Sequence, residues 1–121
     1  MRELDCVIQN LKDCESATVI RLEGGLFVSD FEEFKSIIEE QCGRRIKDLV
    51  VNIEKLDFIS SSGIGLLVEK TEMLKREGKR LWVVGPNPDI EKIFDQLSLD
   101  RIVRIVPSEQ QATDEIKGTP K

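Results

Sequence analysis

Histidine is absent from the 121 residues, which removes the commonest general base and the commonest neutral metal ligand. A catalytic reading then rests on carboxylates, lysine or cysteine alone. Cysteine is scarce. Cys6, Cys14 and Cys42 cannot all pair within one chain, and their spacings match no zinc-binding pattern. Each reads as a small buried or half-buried thiol. Long apolar runs are missing too: Ile64–Gly65–Leu66–Leu67–Val68 falls far short of the ~20 residues that span a bilayer. The opening Met1–Arg2–Glu3–Leu4–Asp5 carries acids where a targeting segment is basic. The expectation is a cytoplasmic protein with no membrane insertion. No Gly-x-x-x-x-Gly-Lys-Ser/Thr loop or dinucleotide fingerprint occurs, so no cofactor is expected. A broad positive face is lacking as well. Acidic residues number 23 against 18 basic, a net charge of -5. The basic pairs Arg44–Arg45, Lys75–Arg76 and Lys79–Arg80 sit among acids, and direct nucleic-acid binding is not expected from them.

What is present is a globular composition, with 40% apolar and 34% charged residues in a chain the size of one domain. Asp5 to Leu11 and Ala17 to Leu22 read as strands, with a turn over residues 12–16. Glu23–Gly24–Gly25 punctuates the chain. Ser29 or Asp30 can cap a helix, each with a glutamate three residues on. Phe31, Phe34, Ile38 and Cys42 recur at helical spacing, Ile37 widens the stripe, and Gly43 is a plausible stop. Leu49–Val50–Val51–Asn52–Ile53 reads as a buried central strand.

Ile64, Leu67, Val68, Thr71 and Leu74 form a second helical stripe ending at Gly78. Leu81–Trp82–Val83–Val84 is the next strand. Asn87 caps a helix with Pro88 at its first position and Ile90, Ile93, Phe94 and Leu97 on its apolar face. Ile102 to Val106 is the last strand, and Glu109 to Ile116 a short terminal helix. Strand and helix alternate after two opening strands. That order predicts an α/β fold, one mixed, mostly parallel β-sheet packed against α-helices. Residues 1–121 form a single domain with a frayed tail from about residue 117.

The most informative stretch is Phe58–Ile59–Ser60–Ser61–Ser62–Gly63–Ile64–Gly65. A strand ends there, three hydroxyls sit at the junction, and a helix begins between two glycines. In one reading Ser60 or Ser61 caps the helix and Gly63 and Gly65 allow close packing. In the other, Ser62 accepts a phosphoryl group, which adds about -1.5 to -2 charge and three acceptor oxygens. A helix N-terminus tolerates that charge, while a partner docked over the turn is repelled.

These residues resemble the STAS domains, named for sulphate transporters and anti-sigma-factor antagonists, and especially the stand-alone bacterial antagonists. The resemblance covers roughly residues 5 to 115. It is carried by Gly24–Gly25–Leu26, Leu56–Asp57–Phe58–Ile59, Ser61–Ser62–Gly63–Ile64–Gly65, Gly78–Lys79–Arg80–Leu81, and Ile93–Phe94 with Leu97. It implies a non-catalytic partner-switching protein that binds an anti-sigma factor or a histidine-kinase-like serine kinase. The serine before the first glycine of the block, here Ser62, is the implied phosphate acceptor, with Ser61 as second choice. A PP2C-like phosphatase is the implied resetting partner. The implied partner-binding surface comprises Gly25, Leu26, Phe27 and Val28 with Ser60, Ser61, Ser62, Gly63 and Ile64. Two positions depart from the family's usual pattern: Ser60 and Phe27 stand where aspartates are common.

Two other classes compete. A non-phosphorylated STAS-like scaffold or transport-accessory protein keeps the fold, with Ser62 serving mainly as a helix cap. A small-ligand sensor or enzyme uses the hydroxyls and glycines to bind an anion, but three serines without a credible base are poor evidence for nucleophilic catalysis. Asp57, the nearest acid in sequence, reads as exposed or part of a turn network. Trp82 and Phe94 read as core. Phe27 is open between a core plug and an exposed partner anchor.

Overall fold

A computed structural model of the chain describes residues 3–12, 14–44 and 47–118, with 42–44 placed as backbone only. The expectations for Cys42, for Arg44–Arg45 and for fraying of residues 119–121 lie outside the described side chains and residues. Strands β1 (Asp5–Leu11) and β2 (Cys14–Leu26) form an antiparallel pair. Then follow α1 (Phe31–Arg44), β3 (Asp48–Ile59), α2 (Ser61–Arg76), β4 (Leu81–Val84), α3 (Pro88–Gln96), β5 (Arg104–Val106) and α4 (Glu109–Gly118). Sheet order is β1-β2-β3-β4-β5, with β2 to β5 all parallel. This is the mixed, mostly parallel sheet that the alternation predicts.

Because neighbouring parallel strands follow one another in sequence, right-handed crossovers send every connecting helix to the same face. Phe34 and Ile38 of α1, Leu67 and Leu74 of α2, and Ile90 and Phe94 of α3 therefore share one core. They pack with Ile20, Leu22, Val51, Ile53 and Val83 of the strands. Side chains alternate across a strand. The intervening residues Val19, Val50, Trp82 and Val84 pack on the opposite face against Ala112 and Ile116 of α4. Trp82 and Phe94 are both buried, as their positions predict. Between α1 and α2, buried Lys70 donates to Glu39 at 3.1 Å.

Several boundaries differ from those read in the sequence. Strand β2 does not stop at Leu22 but runs through Gly24 and Gly25, with register shifts between Arg21 and Glu23 and between Gly24 and Gly25. Gly24 has φ +87°, so the glycines bulge the strand rather than end it. A short 3-10 turn, Val28–Asp30, precedes α1, and the Asp30 carboxylate accepts the Phe27 N–H at 2.8 Å. Helix α1 continues through Gly43 to Arg44, and α4 through Lys117 to Gly118. Ile102 is not in the last strand. A second 3-10 turn, Leu99–Arg101, leaves it exposed and reduces β5 to three residues. Ile90 and Phe94 of α3 are buried, whereas Ile93 and the C-cap residue Leu97 are exposed.

Candidate functional site

Strand β3, central in the sheet, delivers Ser60 to its C-terminal end. Its N–H donates to the Leu26 carbonyl at 2.8 Å, which ties the end of β2 to the turn. Ser60 is extended (φ -75°, ψ 161°) and its Oγ accepts the Gly63 N–H at 3.2 Å, so it is the N-cap of α2. A side chain is excluded at Gly63: a Cβ there would lie 2.8 Å from Leu26 Cδ2 and 3.1 Å from Ile59 Cγ1. Gly65 is different. It is exposed, with nothing within 4 Å of where its Cβ would be, so the close packing expected of both glycines holds for Gly63 alone.

The three serines occupy three environments. Ser60 is only 5% exposed, Ser61 is exposed and Ser62 is half-buried. Ser60 Oγ and Ser62 Oγ are 3.0 Å apart, and either hydroxyl can be the donor. The first turn of α2 has no acidic residue, while Lys75 and Arg76 lie in its last turn. The positive end of the helix dipole is therefore uncompensated by any residue of its own first turn.

Beside this turn stands an apolar shelf. The rings of Phe27 and Phe58 stack with centroids 5.1 Å apart and planes at 25°. The stack follows from the register, in which Gly25 pairs with Phe58 and Leu26 with Ile59. A Cβ on Gly25 would lie 2.4 Å from Phe27 Cε2, so the glycine makes room for the ring. Phe27 is half-buried, its ring lying over Gly25. Phe58, 36% exposed, and Val28, 73% exposed, carry the shelf to the surface. Of the residues expected to meet a partner, Gly25, Leu26, Ser60, Gly63 and Ile64 are buried. They shape the surface from beneath, and a direct side-chain contact from Leu26 is corrected by its complete burial. Of that set Val28 and Ser61 are exposed and Phe27 and Ser62 half-buried; Phe58 and Gly65, outside it, are exposed beside them.

A polar cluster lies elsewhere, on the α4 face of the sheet. The Arg21 guanidinium donates through Nε and Nη2 to the two Glu109 oxygens, both at 2.8 Å, and also donates to Gln9. Asn52 Nδ2 donates to Glu109 at 2.5 Å and to Glu54 at 2.9 Å. The hydrogen bond from Arg21, with help from Asn52, holds the Glu109 carboxyl below the usual carboxylate range despite its burial. Arg21, Asn52, Glu54 and Glu109, with Glu23 and Lys55, border a groove of about 530 Å³. Sequence reading missed this cluster because Arg21 and Glu109 are joined only by tertiary packing. Among the described residues no group of three acidic or cysteine side chains is arranged to hold a metal ion. Nor is any helix of theirs long and apolar enough to cross a membrane.

The profile of the STAS domain matches residues 9–112. The chain belongs to the STAS domain family. An anti-sigma F factor antagonist of Paenibacillus polymyxa is 25% identical over 100 residues, 82% of this chain and 86% of that protein. Among solved structures, an anti-sigma factor antagonist from Mycobacterium paratuberculosis superposes with a TM-score of 0.84 at 17% identity, covering 95% of this chain and 95% of the other. The Bacillus cell fate determinant SpoIIAA in its phosphorylated form gives a TM-score of 0.71 at 24% identity, covering 93% and 99%. At such identities the structural likeness speaks for the fold. Within that STAS fold, the serine turn sits where β3 hands over to α2, as the sequence order implies.

Proposed function

We propose that this STAS protein is a non-catalytic partner switch that binds an anti-sigma factor or a histidine-kinase-like serine kinase and is released by phosphorylation of Ser62. One observation carries the reading: the hydroxyls of the turn are divided in their work. Ser60 caps α2, so Ser62 is not needed as a cap. Ser62 is instead half-exposed within the first turn of a sixteen-residue helix whose N-terminal end bears no acid. A phosphoryl group there meets free backbone donors and the positive end of the dipole. The same added negative charge stands beside the shelf of Val28 and Phe58 and repels a surface that has docked over it.

In this reading the kinase is also the partner. The Ser62 hydroxyl oxygen attacks the γ-phosphorus of ATP, the bond to the ADP oxygen breaks, and the hydroxyl proton leaves to the kinase or solvent. A PP2C-like phosphatase reverses the modification by hydrolysis. The relatives named as anti-sigma factor antagonists, and the phosphorylated form in which SpoIIAA was solved, support the assignment by likeness. Phosphopeptide mapping of the protein purified from its native host tests it. Phosphate on Ser62 is expected. Phosphate confined to Ser61 moves the switch by one residue, and neither serine modified under any growth or stress condition contradicts it.

A further inference from the structure

Ser60 Oγ has two partners among the described residues, the Gly63 N–H it accepts and the Ser62 Oγ 3.0 Å away. A hydroxyl has one hydrogen to donate and two lone pairs with which to accept. In the unmodified protein the hydrogen between the two serines can belong to either. Phosphoryl transfer removes that choice. Ser62 Oγ gains a bond to phosphorus and loses its proton, so it becomes an ester oxygen that accepts only. The one hydrogen left between the two side chains is that of Ser60.

We propose that Ser60 is the internal ligand of the phosphoryl group, its hydroxyl becoming a fixed donor to phosphoserine 62. The proposal rests on the phosphoswitch reading and specifies its regulation. The donor is organised before the phosphate arrives. Its backbone is pinned by the 2.8 Å bond from Ser60 N–H to the Leu26 carbonyl. Its oxygen is held by the N–H of Gly63, a residue wedged against Leu26 and Ile59. At 5% exposure, water competes poorly for its hydrogen. A donor facing an ionised acceptor makes one of the stronger hydrogen bonds available to a protein. An aspartate at this position would cap the helix as well as serine does. It would bring no hydrogen, and its charge would oppose the phosphate. What matters at residue 60 is therefore the hydroxyl, not capping.

The test uses full-length protein with phosphoserine installed at position 62 during synthesis, so it needs no kinase. The second ionisation of the phosphate, near pH 6 in a free phosphoserine, is followed by ³¹P NMR in the wild-type, Ser60→Gly, Ser60→Asp and Ser60→Asn backgrounds. Asp and Asn have the same size and both cap, but only Asn keeps a donor. Wild type and Ser60→Asn should ionise at similar pH, with Ser60→Asp about one unit higher, a tenfold difference in proton affinity. Because the aspartate also adds charge, the deciding background is Ser60→Gly, which removes the hydroxyl at little cost to the cap: ionisation at higher pH than wild type supports the proposal, and equal values overturn it. If the variants do not fold, a crystal structure of the wild-type phosphoprotein decides. Ser60 Oγ within about 3 Å of a phosphate oxygen supports it, and a separation beyond about 3.5 Å overturns it. Absence of phosphate on Ser62 in the native host would sink the switch while leaving these measurements intact, so the two failures are distinguishable.

Discussion

At the scale of single residues, Ser60 and Ser62 should contribute unequally to the stability of α2. Ser60→Ala removes the N-cap of α2 and should cost about 1 kcal/mol. Ser62→Ala removes a half-exposed hydroxyl whose partner is Ser60, and should cost well under about 1 kcal/mol. Urea unfolding of both variants checks the order, and equal losses would show that Ser62 shares the capping role. Ser98 sits in the left-handed region at φ +52°, between α3 and the following 3-10 turn. A side chain is strained there and glycine is not. Ser98→Gly should therefore stabilise by about 0.5 kcal/mol after the added chain entropy of glycine is subtracted, read as a higher urea midpoint. Some single-residue roles were legible in the sequence because their chemistry is local. Asn87 was one, and its Oδ1 accepts the Ile90 N–H at 2.8 Å to start α3. Phe27 was not legible, since its stacking on Phe58 depends on the β2–β3 register rather than on its neighbours in the chain.

At the scale of elements, the helical stripes and the strand order were legible because they repeat with the period of a helix or fill a whole covered strand. The ends were harder to read. The glycines of β2 look like a turn in isolation, and only continued pairing with β3 out to Leu26 and Ile59 makes them a bulge. Ile93 and the C-cap residue Leu97 belong to the apolar stripe of α3 but are exposed, a fact about what lies beside the helix rather than about the helix. The two glycines of the serine turn looked equivalent in sequence, and their surroundings separate them. Gly63→Ala pushes a methyl into Leu26 and Ile59 and should destabilise by roughly 1–3 kcal/mol. Gly65→Ala meets open space and should raise helix stability by up to about 1 kcal/mol. In the partner-switch account it should nonetheless weaken partner binding, and thermal melts with a binding assay separate the two effects.

Helix α4 carries a pH dependence. The Arg104 guanidinium, with help from Gln111 and Trp82, holds the Glu115 carboxyl down at about 2 against an ordinary 4.5. Glu109 is lowered chiefly by its hydrogen bond from Arg21. A depressed carboxylate contributes stability that is fully present above its unfolded value. That stability is lost as pH falls from about 4.5 through the folded value. Helix α4 should therefore loosen between about pH 4.5 and 2. The single tryptophan reports it, because Trp82 Nε1 donates to Glu115 at 3.0 Å. Its fluorescence should change over that interval in wild type and change less in Glu115→Gln.

At the scale of the whole molecule, one face of the sheet is closed by three helices, and the Val28–Phe58 shelf and the serines meet at the β3–α2 junction. A rigid scaffold of this kind suits a switch that changes its surface charge without refolding. The central claim is that phosphate on Ser62 decides whether a partner binds, and quantitative affinity capture from an extract of the native host tests it most directly. The bait is compared in its unmodified form and with phosphoserine at position 62. The account predicts that the unmodified protein retains a small histidine-kinase-like ATPase and that the phosphorylated form loses it. Equal retention of the same partner by both forms would contradict it.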